Sequence, residues 1–141
     1  MQLVLPVLHS HDHALDNFVM GRNAPLIGHL KQQLSADERQ INAQPITFVH
    51  GTAGSGKTHL LLACHQFTEI QGTQCQYIDM QELQTMPPQI VQGIGLTDVI
   101  CIDNIDAIAS SNAWQMQIFD VINQFLENTG KCLLVSAKNS V

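Results

Sequence analysis

The stretch Gly51-Thr-Ala-Gly54-Ser55-Gly56-Lys57-Thr58 fills every fixed position of the phosphate-loop pattern G-x-x-x-x-G-K-[ST]. The short β-branched run Ile46-Thr-Phe-Val49 precedes it, and Leu60, Leu61, Leu62 and Phe67 mark an amphipathic helix after it. Strand, glycine-rich turn and helix, in that order, are the setting in which this pattern cradles phosphate. Gly54 and Gly56 open backbone angles closed to other residues, so successive N–H groups can turn inward onto an anion. A helix beginning near Lys57 aims the positive end of its dipole at the same point. Gly51, Ala53, Gly54, Ser55, Gly56, Lys57, Thr58 and His59 are therefore the nucleotide-binding candidates of this segment. Lys57 is expected to reach the β- and γ-phosphates, and the Thr58 hydroxyl to ligate Mg²⁺.

Outward from the loop, Gln74 to Met80 reads as a second strand, and Pro87-Pro88 breaks the chain before a short helical piece. Val99-Ile-Cys-Ile102 is a third strand, wholly apolar like one buried on both faces. Trp114, Ile118, Phe119, Ile122, Phe125 and Leu126 keep helical spacing, with Gly130 as the stop, and Cys132-Leu-Leu-Val135 is a fourth strand. Upstream, Asn23 can cap a helix with Pro25 in its first turn and Leu26, Ile27, Leu30 and Leu34 on one face. Strands alternating with helices predict an α/β domain around a mostly parallel sheet. Residues 1–8 read as an extended arm, and 9–141 as the nucleotide-binding domain.

A bound Mg²⁺ needs a carboxylate in its shell. Asp103 closes the third strand, and the C-terminal end of a parallel strand lies beside the phosphate loop. Asp103 is thus the second expected Mg²⁺ ligand, with Thr58. ATPases of this extended-site class usually place Glu or Asp next, to deprotonate the attacking water. Here the residue is Asn104, whose amide can hydrogen-bond a water but cannot accept its proton. Asp106 is a catalytic candidate two residues further on.

With 141 residues, there is room for one domain with a real core and no need of disulfide staples. Charged residues make up 13%, against roughly 25% on average, so part of the surface is expected to be covered. Six Lys+Arg against twelve Asp+Glu leave a net charge of −6, and the six cations are scattered. That argues against a dedicated binder of nucleic acid or anionic membrane. No apolar run approaches the ~18–20 residues of a membrane span. The apolar start, Met1 to Leu8, has no basic flank and contains Pro6, so it makes a poor signal peptide. Cys64, Cys75, Cys101 and Cys132 form no CxxC pair and lie in apolar stretches, which reads as buried free thiols in a reducing cytoplasm.

Several segments carry a family resemblance. Leu15-Asp16-Asn17-Phe18-Val19-Met20-Gly21-Arg22-Asn23 resembles the N-terminal linker of the DnaA replication initiators. In that family the linker lies against the adenine ring, which implies Phe18 and Val19 as base contacts. Val99-Ile-Cys-Ile-Asp103-Asn104-Ile-Asp106-Ala-Ile-Ala is similar to the Hda-type branch, DnaA-homologous regulators that also carry Asn after the aspartate. Trp114-Gln-Met-Gln-Ile-Phe119-Asp120 continues the similarity. Gln2-Leu3-Val4-Leu5-Pro6 looks like the motif by which Hda-type proteins bind the replication sliding clamp. Gln2 would hydrogen-bond, Leu3 and Leu5 would fill an apolar pocket, and Pro6 completes the motif. The residues alone also allow an N-terminal strand packed on its own domain.

The resemblance implies a P-loop NTPase of the AAA+ class: a three-layer α/β/α core, a parallel sheet in the order 5-1-4-3-2, and a helical lid. It implies ADP or ATP with Mg²⁺ as cofactors, and a DnaA-type initiator and the sliding clamp as partners. The implied activity is to dock on ATP-loaded initiator and trigger hydrolysis there, in a bacterial cytoplasm. The chain stops at Val141, so it is expected to be truncated before the family's fifth strand, arginine finger and lid, and unable alone to stimulate a partner. Where the family has Ser/Thr-x-Asp-Arg-Pro, this chain has Ser136-Ala-Lys138-Asn139. Ser136 keeps a polar γ-phosphate sensor candidate, and Lys138 replaces the acid. Without a fifth strand, residues 46–49 become a sheet edge, expected to be covered by another copy or by the arm 2–8.

Two other classes compete. A self-sufficient P-loop ATPase or small-molecule kinase needs a base or an arginine-bearing lid, and only Arg22 and Arg39 exist. A helicase loader or initiator ATPase acting on DNA sits poorly with the −6 charge and the lack of a helix-turn-helix extension. No direct sequence-specific DNA contact and no membrane contact are expected. With Asn104 in the acid's place, intrinsic turnover should be slow. Fast steady-state phosphate release, unaffected by Asp106→Asn, would refute that reading.

Overall fold

In the computed structural model the described residues are 28, 30–31, 34–35, 46–51, 56–94, 97–127 and 131–138, with the backbone of 2–4. The strands are β1 (Gln2–Val4), β2 (Ile46–His50), β3 (Cys75–Asp79), β4 (Val99–Asp103) and β5 (Cys132–Ala137). The helices are α1 (Lys57–Ile70), α2 (Met80–Leu83) and α3 (Asn112–Leu126), with 3₁₀ turns at Pro88–Val91 and Ile105–Ile108. All five strands are parallel, in the order β1-β2-β5-β4-β3. Counting from β2, the run β2-β5-β4-β3 is the expected 1-4-3-2.

The two central strands show why the sequence folds this way. Every residue of β4 and β5 is buried. Along β4, Val99 and Cys101 join one apolar cluster while Ile100 and Ile102 join another. Along β5, Cys132 and Leu134 alternate with Leu133 and Val135 in the same manner. A period of two with both faces apolar requires a layer of helix on each side. The first face is covered by Leu60, Leu61 and Cys64 of α1 and by Leu30 and Leu34. The second takes Trp114, Ile118, Val121 and Phe125 of α3. Leu30 and Leu34, expected on one helical face, both have no exposed surface. Their expected companions Leu26 and Ile27 lie outside the described residues, as do Asn23, Pro25 and Gly130.

All four cysteines belong to the first cluster. They are free, as expected, with Cys75 Sγ and Cys101 Sγ 3.9 Å apart. Burial pushes the Cys64 thiol well above its ordinary range, and the contact with Cys75, then burial, does the same to Cys101. Thiols held protonated in this way are poor nucleophiles.

Helix ends follow local chemistry. Gly72, at φ 77, supplies the left-handed turn after α1, and Thr73 N–H returns to the Thr68 carbonyl at 3.0 Å. Ser111 caps α3 by accepting from Trp114 N–H at 3.2 Å, so the helix begins two residues before the expected Trp114.

The flank of β2 is expected to be covered by another copy or by the arm 2–8. The arm's own β1 takes it, pairing Gln2 with Phe48, Leu3 with Val49 and Val4 with His50. Phe48, Val49 and His50 of β2 then have a strand on each side, so along that part of the edge the arm stands where a second copy would pair. The outer edge now belongs to a three-residue strand. Met116 and Phe119 remain exposed on α3, at 69% and 64%. Phe125→Ala should lower the unfolding free energy by about 3–5 kcal/mol, the range for a buried aromatic. Met116→Ala should change it by less than about 0.5 kcal/mol; urea denaturation of both variants checks the contrast.

Candidate functional site

A parallel sheet brings the C-terminal ends of its strands to one edge. In register, Asp79 at the end of β3 stands opposite Asp103 at the end of β4, and His50 of β2 opposite Ala137 of β5. β2 ends at the same edge, and α1 begins at Lys57. Gly56, just before α1, has φ 91, a conformation that glycine adopts without strain.

Lys57 is the first residue of α1 and is buried. Its Nζ donates to the Gly51 carbonyl at 2.5 Å. Burial pulls its ammonium below the ordinary range and Lys138 adds to this, while Asp103 and Asp106 oppose it. Asp103 has no exposed surface. Its Oδ2 accepts from Thr58 Oγ1 and from the Tyr77 hydroxyl, each at 2.6 Å, and its Oδ1 accepts from Ser136 Oγ. Ser136 Oγ in turn accepts from Asn104 N–H at 2.9 Å. Asn104 is left-handed, φ 57 and ψ 49, which asparagine tolerates better than most residues. Its Nδ2 donates to Asp79 Oδ1 at 2.9 Å.

Above these groups opens a cleft of about 380 Å³ lined by Gly56, Lys57, Thr58, His59, Gln81, Asn104 and Lys138. That is within the size range of small-molecule sites, and its lining holds two cations, a hydroxyl and two amides. Thr58 Oγ1 and Asp103 Oδ2 are hard oxygens joined by a single proton, a donor pair suited to Mg²⁺. Asp106 Oδ1 is buried and accepts no hydrogen bond among the described residues. A buried carboxylate oxygen without a donor suits an arrangement that another group, such as a metal-bound water, completes. These residues therefore fit a phosphate ligand with its cation.

Of the expected site residues, the fold brings together Gly51, Gly56, Lys57, Thr58, His59, Asp103 and Asn104, with Asp106 close enough to act on Lys57. Ser136 is completely buried and its hydroxyl proton is committed to Asp103, so Lys138, not Ser136, faces the cleft. Phe18, Val19, Ala53, Gly54, Ser55, Leu5 and Pro6 lie outside the described residues, and Gln2 and Leu3 are placed by backbone alone. Tyr77, Asp79 and Gln81 were not anticipated. The order of strands, which sets β3 beside β4, is what brings them in, and no local pattern reports it.

Among the described residues no helix is long and apolar enough to cross a membrane, and no group of three or more His, Cys, Asp or Glu could hold a metal. The family model for the bacterial DnaA ATPase domain matches residues 9–140. An uncharacterized protein of Haemophilus influenzae is 29% identical over 139 residues, 99% of this chain and 58% of that one. AMPPCP-bound DnaA from Aquifex aeolicus superposes with a TM-score of 0.74 at 22% identity, over 92% of this chain and 43% of that one. The DnaC helicase loader gives 0.62 at 16% identity, over 92% and 78%. At these identities the structural likeness carries the fold, the AAA+ P-loop NTPase core. The chain spans little over half the length of the Haemophilus relative and less than half of the Aquifex initiator.

Tyr77 is the chain's single tyrosine, so an alkaline ultraviolet titration reads it alone. Burial, then the hydrogen bond to Asp103, raises its pKa above the ordinary phenol range. The proton-bound form is the one the fold favours, so this stabilisation is whole below about pH 10 and fades as pH climbs beyond it. The phenolate band should appear only together with unfolding; a band at ordinary pH in folded protein would contradict the contact. Tyr77→Phe should destabilise by about 1.5–3 kcal/mol, as expected for a hydrogen bond to a charged group.

Proposed function

The chain belongs to the bacterial DnaA ATPase domain family, and from that membership we propose that it is a nucleotide-binding regulator of replication initiation of the Hda type. The observation that carries the reading is the junction of Lys57, Thr58 and Asp103 at one cleft, with Asn104 where hydrolysing relatives of this class usually have an acid. On this reading the ligand is ADP or ATP. Lys57 exchanges the Gly51 carbonyl for phosphate oxygens, and Lys138 adds a second positive charge across the cleft. Mg²⁺, when bound through Thr58 and Asp103, neutralises phosphate charge. Asn104 can orient a water but cannot take its proton, so the nucleotide is held longer than it is turned over.

The regulator's partner on this reading is an ATP-loaded DnaA-type initiator, whose hydrolysis it promotes while tethered to the sliding clamp in the bacterial cytoplasm. Gln2, Leu3, Leu5 and Pro6 are the clamp-docking residues. A three-residue edge strand contributes few backbone hydrogen bonds, so a clamp pocket that anchors the same peptide can compete for it.

Calorimetric titration with ADP and ATP, each with Mg²⁺, tests the first half. Lys57→Ala should weaken binding by roughly tenfold to a hundredfold, as for losing a charge-assisted hydrogen bond, and Lys138→Ala by less. If neither nucleotide binds the unaltered chain, the reading fails. Clamp pull-down that survives Gln2→Ala with Leu3→Ala would remove the second half. Salt-sensitive binding to duplex DNA would instead favour a loader or initiator acting on DNA directly.

A further inference from the structure

On the reading that the cleft takes a nucleoside triphosphate, we infer that Asp79 is a positioning residue for Asn104, turning its amide so that the carbonyl is the end offered to the cleft. A carboxylate only accepts hydrogen bonds, so the Asn104 atom 2.9 Å from Asp79 Oδ1 is the NH₂ nitrogen by chemistry. Asp79 is itself fixed, because the same Oδ1 accepts Gln81 N–H at 3.0 Å as the cap of α2. The Asn104 backbone is fixed as well, by its left-handed conformation and its N–H bond to Ser136. Asn104 lines the cleft beside Lys57 and Thr58, whereas Asp79 stands behind it.

The orientation matters for the reaction. A water next to the terminal phosphate can donate one hydrogen to Oδ1 and keep a lone pair for phosphorus. A flipped amide would present N–H donors and occupy that lone pair. In hydrolysis the water oxygen bonds to the γ-phosphorus, the bridging P–O bond breaks toward the diphosphate, and the proton passes to a phosphate oxygen, since the amide cannot hold it. Asp79 thus sets the geometry of a slow site and touches no reacting atom.

Three variants of the full chain test this. Asp79→Asn keeps an acceptor and an effective helix cap, Asp79→Ala removes both, and Asn104→Gly deletes the amide while tolerating the left-handed backbone. In the nucleotide-free protein, NMR of the Asn104 side-chain NH₂ should show slow exchange in the unaltered chain and in Asp79→Asn, and fast exchange in Asp79→Ala. In single-turnover hydrolysis with Mg-ATP, Asp79→Ala and Asn104→Gly should each lose about tenfold to a hundredfold. Asp79→Asn should stay within about twofold, and the double variant should fall no lower than Asn104→Gly. A protected amide in Asp79→Ala, losses that multiply in the double variant, or Asp79→Asn falling as far as Asp79→Ala would each overturn the inference. Failure of the unaltered chain to bind ADP or ATP would instead strike the nucleotide reading, while the NH₂ exchange still decides whether Asp79 holds the amide.

Discussion

A carboxylate with no exposed surface has to be satisfied by donors, and Asp103 is such a group. Its three donors come from three different elements: Thr58 from α1, Tyr77 from β3 and Ser136 from β5. Each is a neutral hydroxyl, so the negative charge is held in place without being cancelled. The cationic centre nearest in chemistry, Lys57, feels Asp103 while bonding to a backbone carbonyl. The requirement to satisfy Asp103 therefore ties the register of β3, β4 and β5 to the start of α1. A shift of one residue in any strand would turn a hydroxyl away and leave a charge stranded.

That constraint also shapes the cleft. The chain as a whole is acidic, at −6, with only six lysines and arginines. Two of those six, Lys57 and Lys138, line one opening. Two lysines facing one cleft can attract a small anion there without making the whole acidic surface attractive to nucleic acid. The exposed apolar side chains sit elsewhere, on α3 and at Ile70, Met86 and Ile90.

The parts that were legible in the sequence are those encoded locally. The phosphate-loop spacing, the apolar run of β4 and the buried face of α3 each stand within a dozen or so residues. They set the class of fold and point to Gly56, Lys57, Thr58 and Asp103 as one site. What was not legible depends on contacts between distant segments. Tyr77 looks like an ordinary strand aromatic until β3 is known to lie against β4. Ser136 reads as a γ-phosphate sensor candidate in sequence, whereas in the fold its hydroxyl donates to Asp103. Asp79 falls within the expected strand Gln74 to Met80, and becomes part of the site only because its register partner is Asp103. The arm was readable as an extended segment, and its sequence did not choose between the sheet edge and an external pocket.

The strand order has a consequence for the order of synthesis. Of the five strands described, β5 is made after the other four, yet it lies between β2 and β4. Until residues 132–137 leave the ribosome, β1-β2 and β4-β3 are two separate ribbons, each with an open inner edge and an apolar surface waiting for cover. Ser136 arrives with the same strand, so Asp103 is also short of a donor until then. Joining these two ribbons brings distant segments together, the slow kind of contact for a polypeptide, and the nascent chain is most exposed to mispairing along those inner edges just before it.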